Sequence, residues 1–320
     1  MLQLSEEIRN AKTIGIGGHI RPDGDCVGSC MALYLYLKKC MPSDAEIAVY
    51  FEKPSDIFNT IKDISEIRTE AEEGKQFDLF FVLDCEGSRL GFAEKLFRQA
   101  KKKINIDHHI SSNGCGDLNY VDANASSTSE LVYDLLEKEW IDEEIAKALY
   151  IGIIHDTGVF QYSNTSPKTL RIAADLVSYG FDFSALIEKT FYEKTYLQNQ
   201  IMGRALLESI MFLDGRCIVS CLDRKVMQFY NVTAADLDGI VSHLRNIRDV
   251  ECAIFMYETD ILEYKVSMRS TDKVDVARIA SFFGGGGHKK AAGCTMSGTF
   301  HDVVNNLSVH IEKQLNEEEN

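Results

Sequence analysis

TIGIGGHIRPDGDCVGSCMALYLYLKKC, residues 13–40, opens as an apolar run, TIGIGGH (13–19), breaks at a polar turn, and resumes as a helical stretch from Cys26 to Cys40. Met31, Leu33, Leu35 and Leu37 supply the apolar content of that stretch. A strand feeding a helix is the first half of a parallel crossover, so this segment sets the expectation of an α/β fold. Further along, EIAVYFE (46–52), FDLFFVLDC (77–85) and KINIDHH (103–109) read as further strands. From Ser126 to about Glu208 the pattern turns helical, through SSTSELVYDLLEKE, DEEIAKALYIGIIHDTG and PKTLRIAADLVSYG. The period then returns to two in MFLDGRCIVSCLD, VECAIFMYETD and EYKVSMRS, with helical KVMQFYNV and AADLDGIVSHLRNIRD between the first two.

These readings predict an α/β protein whose N-terminal domain (1–190) holds a mainly parallel sheet flanked by helices. A helical connector (191–205) and a smaller C-terminal α/β domain (206–320) complete it. A chain of 320 residues exceeds the size at which one core stops growing, which agrees with two domains. Hydrophobic residues at 45% and charged residues at 26% are ordinary globular values and argue against disordered, coiled-coil and collagen-like classes. The acidic end NEEEN (316–320) reads as a frayed helix terminus.

The N-terminus MLQLSEEIRN lacks a basic region followed by an apolar one, and no apolar run approaches the roughly 18 residues that a membrane span needs. A cytoplasmic protein without a membrane partner is expected. Nine cysteines, an odd number with no CxxC pair, lie mostly inside apolar runs and read as reduced core thiols. A formal net charge of −15 opposes a long polyphosphate backbone, whose affinity comes from Lys and Arg displacing counterions. Any nucleic-acid substrate is therefore expected to be short, and long duplexes are not expected as partners.

Four segments carry the candidate chemistry. GGHIRPDGDCVGS presents His19, Asp23 and Asp25 where the first strand ends; LDCE presents Asp84; DHH presents Asp107, His108 and His109; IIHDTG presents His155 and Asp156. In open parallel sheets the carboxyl edge is where ligands bind. A single Asp there is ordinarily a turn or cap residue, but a turn has no need of HxxxDxD, nor a strand of DHH. Hard oxygen and nitrogen donors without thiolate suit Mn²⁺ or Mg²⁺ better than structural zinc. A set so rich in carboxylates points to a pair of ions, which can activate water and stabilise a leaving oxygen at phosphorus.

HxxPDGDxxGS, LDC, DHH and HDTG, in this order and spacing, resemble the motifs of the DHH phosphoesterase superfamily. FGGGGHKKAAG (283–293) and SMRS (267–270) resemble the DHH-associated C-terminal domain. The layout is similar to the short branch of NrnA-type nanoRNases and pAp phosphatases. The resemblance implies that His19 and Asp23 hold one divalent cation and Asp25 and His108 the other, with Asp84 bridging them and Asp156 completing the set. It implies that Asp107 orients a ligand imidazole, that His109 faces the scissile phosphate, and that water activated at the ions attacks without a covalent intermediate. Mn²⁺ is the expected ion, with Mg²⁺, Co²⁺ or Fe²⁺ left open by ligand type. Gly285, Gly286 and Gly287 let the backbone approach a phosphate and His288 adds a donor; Arg269, followed by Ser270, is the candidate for a fork-like contact. Ser126, Ser127 and Thr128 read either as a helix cap or as part of the same cleft.

The expected activity is two-metal hydrolysis of very short oligoribonucleotides to mononucleotides, and of pAp to AMP, in a cleft between the two domains. The alternatives are a pApA or cyclic-di-AMP phosphodiesterase and a noncatalytic nucleotide-binding sensor. A homodimer is compatible with this reading.

Overall fold

The computed structural model describes residues 3–317, and of His288 the backbone alone. The chain divides into two compact units, Met1–Glu193 and Lys194–Asn320. In the first, β1 (Thr13–Gly17), β2 (Glu46–Tyr50), β3 (Leu79–Leu83), β4 (Lys102–Asp107) and β5 (Leu118–Val121) form one sheet in the order β2-β1-β3-β4-β5. Every neighbouring pair is parallel.

The composition of β3 explains its central place. LFFVL is buried at all five positions, as befits a strand covered on both faces by crossover helices. Alternate residues serve opposite cores: Leu79, Phe81 and Leu83 join Ile14, Ile16, Ile104 and Ile106 on one face, while Phe80 and Val82 join Tyr50, Leu96 and Phe97 on the other. A Cβ on Gly15 would lie 2.4 Å from the Phe80 ring, so that glycine gives the ring its seat over β1.

The Gly24–Cys40 helix is buried from Gly24 through Leu37, which accounts for its lack of a clean polar stripe. It packs against the Glu143–Asp156 helix, itself buried at nearly every position from Ile145 to Ile154. The expected sheet stopped at β4; β5 extends it by one strand. LNYV is only partly buried, so its apolar pattern carries little signal.

The second unit holds β6 (Ile210–Phe212), β7 (Cys217–Leu222), β8 (Cys252–Asp260), β9 (Glu263–Ser270), β10 (Gly286–His288) and β11 (Ala291–Ser297) in the order β10-β11-β9-β8-β7-β6. Only β7 and β8 run parallel; the other neighbours are antiparallel. The Phe300–Glu317 helix sets Val303, Leu307, Ile311 and Leu315 into one face of its core. Asn316 and Glu317 of the acidic end belong to that helix, and the remainder lies outside the described residues. The Tyr196–Leu207 helix, which overlaps the expected connector, buries Ile201, Met202 and Ala205 in the second unit's other core. Among the described residues no helix is long and apolar enough to cross a membrane.

Candidate metal centre

The strand order turns at β1, and open sheets of this order bind ligands beyond the carboxyl ends of the strands at the turning point. His19 follows β1 and Asp84 follows β3, so the two flank that crevice. His19 Nε2 lies 3.4 Å from Asp84 Oδ2 and 3.7 Å from Asp23 Oδ1. The Nδ1–H of His19 donates to the Ile20 carbonyl oxygen at 2.9 Å, which fixes the tautomer and turns the Nε2 lone pair toward the carboxylates. Asp23 is also the cap of the Gly24–Cys40 helix, its Oδ1 accepting from the Asp25 and Cys26 N–H groups at 3.1 Å each. The ordinary and the functional readings of that aspartate therefore hold together.

A second group gathers around His108. Its Nε2 lies 3.6 Å from Asp84 Oδ1, 3.4 Å from Asp156 Oδ2 and 4.0 Å from Asp25 Oδ2. The two oxygens of Asp84 thus face different imidazoles, Oδ2 toward His19 and Oδ1 toward His108. Asp107 accepts from both the backbone N–H and the Nδ1–H of His109, at 3.1 and 2.7 Å. The imidazole that Asp107 orients is therefore that of His109.

The electrostatics follow from crowding. Burial and the charge of Asp25 hold the Asp84 carboxyl well above the ordinary carboxylate range. Burial, with Asp25 and Asp23 nearby, pushes Asp156 up to about 8. Burial opposes charge on His19, but hydrogen bonds with Asp23 and Asp84 outweigh it and raise the imidazole above its usual value. Asp23, though partly desolvated, is drawn down to about 2 by its hydrogen bond with His19. Carboxylates packed this closely await positive charge, which divalent cations or protons supply.

Among the described residues, three sets place one donor atom per residue within 4.8 Å of one another: His19, Cys26 and Asp84; Asp84, His108 and His109; and Asp25, His108 and Asp156. Asp84 belongs to two of them, as a bridging carboxylate requires. Hard oxygen and imidazole donors dominate, a chemistry that fits Mn²⁺ or Mg²⁺. Cys26 is a member that the sequence reading left among the core thiols; it is fully buried and yet adjoins His19. All nine cysteines are free thiols.

His155 does not join these sets. Its ring packs edge-on to Phe58 and Phe191, over Gly24, where a Cβ would lie 2.2 Å from the imidazole. Beyond it, Gly158, Val159 and Phe160 all have positive φ, of 56°, 54° and 65°. Left-handed backbone costs a non-glycine residue about 1–2 kcal/mol, and the sequence carried no sign of it at Val159 and Phe160. The turn is held by Val159 N–H donating to the Ile154 carbonyl at 2.7 Å and Tyr162 N–H to Thr157 at 2.9 Å.

Ser127 caps the Thr128–Leu135 helix, its Oγ accepting from the Glu130 N–H at 3.1 Å. Thr128 instead donates its hydroxyl to Asp84 Oδ1 at 3.0 Å. Asn164, which no motif flagged, donates to the Asp156 carbonyl oxygen at 3.1 Å.

The remaining predicted residues lie in the second unit. Arg269 is half-buried on β9, with Nη1 donating to the Met268 carbonyl at 3.0 Å. Ser270 is buried and its hydroxyl donates to the Val274 carbonyl at 2.6 Å, so it ties down the loop that follows β9. In the glycine run, φ is 72° at Gly284 and 145° at Gly287. A Cβ on Gly285 would lie 2.2 Å from the Gly293 carbonyl oxygen, whereas Gly286 opens onto free space. The His288 backbone pairs with Ala291, and its side chain lies outside the described residues.

Residues 13–153 match the model of the DHH family, N-terminal domain, and residues 214–317 match that of the DHHA1 domain. The bifunctional oligoribonuclease and PAP phosphatase NrnA of Thermus thermophilus is 31% identical over 291 residues, covering 89% of this chain and 84% of that one. The chain belongs to the DHH family. Another DHH relative, the bifunctional oligoribonuclease and PAP phosphatase NrnA of Bacillus subtilis, is 29% identical over 89% of both chains. An exopolyphosphatase-related protein from Bacteroides fragilis superposes with a TM-score of 0.89 at 25% identity, covering 99% of this chain and 96% of that one. DHH membership makes the chain a phosphoesterase, a hydrolase; His19, Asp25, Asp84, His108 and His109 of the clusters lie within the matched residues, and Asp156 lies just beyond them.

Proposed function

We propose that this protein is a cytoplasmic hydrolase of oligoribonucleotides a few residues long, releasing mononucleotides, and of pAp, releasing AMP. The observation that carries the proposal is the convergence of His19, Asp23, Asp25, Asp84, His108 and Asp156, with Asp84 turned toward both imidazoles. The names of the NrnA relatives support the substrate class. A net charge of −15 supports a short substrate held by local contacts over a long duplex.

His19, Asp23 and Asp84 would hold one divalent cation, and Asp25, Asp84, His108 and Asp156 the other, with Mn²⁺ preferred by donor type. Such a pair supplies a nucleophilic water and neutralises charge at phosphorus. The chain's own residues do the rest. His109, fixed through Nδ1 by Asp107, presents its opposite edge to a phosphate oxygen. Arg269 and the Gly285–Gly287 backbone supply contacts for a substrate phosphate, since a guanidinium and close N–H groups both suit phosphate.

The test is a panel of pAp, pApA, cyclic-di-AMP and RNAs of two to five residues, incubated with purified protein and Mn²⁺, with Asp84→Ala as the control. Turnover of short RNA and pAp, absent in Asp84→Ala, is the expected result. Protein that leaves pAp, pApA and short RNA all intact would overturn the proposal. Preferential cleavage of cyclic-di-AMP or pApA would reassign the substrate, and binding without product would favour a nucleotide sensor.

A further inference from the structure

Three carboxylates of the His108 half of the centre arrive from distant elements: Asp25 from the first turn of the Gly24–Cys40 helix, Asp84 from the end of β3, and Asp156 from the end of the Glu143–Asp156 helix. All three are tied to one short turn, residues 126–129. The N–H groups of Thr128 and Ser129 donate one to each oxygen of Asp25, at 2.6 and 2.9 Å. The Thr128 hydroxyl donates to Asp84 Oδ1 at 3.0 Å. Asn164 Nδ2 bridges the Ser126 carbonyl oxygen at 2.9 Å and the Asp156 carbonyl oxygen at 3.1 Å, with Asp156 Oδ2 at 3.5 Å.

The turn is anchored from behind. Ser126 Oγ and Thr169 Oγ1 both donate to Glu130 Oε2 at 2.7 Å, and Lys168 Nζ lies 3.1 Å from Oε1. All four residues of the turn are fully buried, and Glu130 is 1% exposed. The bonds of this buried network favour one geometry, because breaking any of them strands a buried polar group, although Ser129 Oγ and Asn164 Oδ1 within it have no hydrogen-bond partner among the described residues.

We infer that residues 126–129 template the His108 half of the metal centre, and that Thr128 is its positioning residue, acting through its hydroxyl on Asp84. Two observations separate this from ordinary capping. Ser127 already caps the helix, so the Thr128 hydroxyl is not needed there. It reaches instead to Asp84, whose terminal torsion is otherwise soft. A proton donated to Oδ1 pins the carboxylate so that Oδ1 stays toward His108 while Oδ2 stays toward His19. Removing it frees that torsion for both oxygens, but His19 and Asp23 keep their own anchors, to the Ile20 carbonyl and to the Asp25 and Cys26 N–H groups, so the loss falls hardest on the His108 half.

The inference rests on the two-ion reading, and its test separates the two. Metal-stripped parent, Thr128→Val, Thr128→Ala and Thr128→Ser are titrated with Mn²⁺ by calorimetry and followed by electron paramagnetic resonance, which distinguishes a spin-coupled pair from an isolated ion. The parent is expected to show two binding events and a coupled pair. Thr128→Val and Thr128→Ala are expected to keep one event and to weaken the other by about 10-fold or more, the usual cost of losing an outer-shell contact. At limiting Mn²⁺ their spectra should be those of isolated ions, and Thr128→Ser should restore the pair. Both events unchanged in the Val and Ala variants, both weakened equally, or no recovery with Ser would overturn the role of Thr128 while leaving the two-ion reading intact. A parent that binds no Mn²⁺ pair overturns both.

Discussion

Gly28 meets Gly152 where the two long helices of the first unit cross: a Cβ on Gly28 would lie 2.8 Å from the Gly152 nitrogen and 2.6 Å from the Ala148 carbonyl oxygen. A Cβ on Gly152 would lie 1.9 Å from Ser129 Oγ and 2.7 Å from Asp25 Oδ1. The crossing leaves no room for a Cβ at either glycine, and it helps set the spacing between Asp25, near the start of one helix, and Asp156, at the end of the other. Gly28→Ala should therefore destabilise the protein by about 1–3 kcal/mol through overpacking, although alanine is the better helix former. Mn²⁺ binding should weaken with it. Urea denaturation and calorimetry check both, and a variant with parental stability would show that the helices can move apart at no cost.

Asp84→Asn should separate stability from function. Asp84 has φ of 62°, a left-handed conformation that asparagine also tolerates, so the backbone is kept. The buried carboxyl is crowded by Asp25, and a neutral amide relieves that repulsion. Ion-free stability should be equal or greater, while Mn²⁺ no longer raises the melting temperature and turnover of pAp falls more than about 100-fold, beyond the usual cost of an outer-shell change. Thermal melts with and without Mn²⁺, beside a turnover assay, decide it. A variant that unfolds without metal would mean that Asp84 is a structural residue first.

Much of the fold and most of the first unit's candidate site are legible in the sequence. TIGIGGH, FDLFFVLDC and KINIDHH are apolar runs ending in Asp or His, and β1, β3 and β4 occupy them. What escaped has physical causes. β5 is a short, partly exposed LNYV, and β11 is AAGCTMS, whose buried Ala292, Cys294 and Met296 alternate but stand out weakly beside alanine, glycine, threonine and serine. The Phe300–Glu317 helix did carry a signal in Val303, Leu307, Ile311 and Leu315, spaced four apart. Asn164 lies in a polar loop that reads like any other, and its role exists only because that loop folds back on Asp156. The hydroxyls of Ser127 and Thr128 look interchangeable in sequence, yet one caps a helix and the other holds Asp84.

Ion-free protein should lose stability as pH rises. Asp156 is carried from an ordinary 3.8 to about 8 by burial and the nearby charges of Asp25 and Asp23, with His109 acting in the opposite sense. Between those values the folded chain keeps a proton that the unfolded chain has lost, so unfolding becomes easier with each pH unit, by up to about 1.4 kcal/mol for one group. Above about pH 8 the contribution of this group is constant. Saturating Mn²⁺ replaces the proton and should flatten the profile. Denaturation of the metal-stripped protein across about pH 5 to 8 checks the slope, and Asp156→Asn should reduce it. A stability that climbs across this range would place the charge balance of the cluster elsewhere.

Arg269 should act on substrate affinity more than on the chemical step. It stands on β9 between Ala253 of β8 and Ala291 of β11, so small side chains flank it on both sides. A guanidinium that grips a phosphate remote from the reacting centre contributes equally to ground and transition states, which raises KM on its loss and spares kcat. Arg269→Ala should raise KM for pAp by about 10- to 100-fold, the range for a lost charged hydrogen bond, with kcat within a factor of about 3. Arg269→Lys should recover only part of this, because an ammonium lacks the planar fork. If kcat falls while KM holds, Arg269 acts on charge that develops in the transition state and not on substrate affinity.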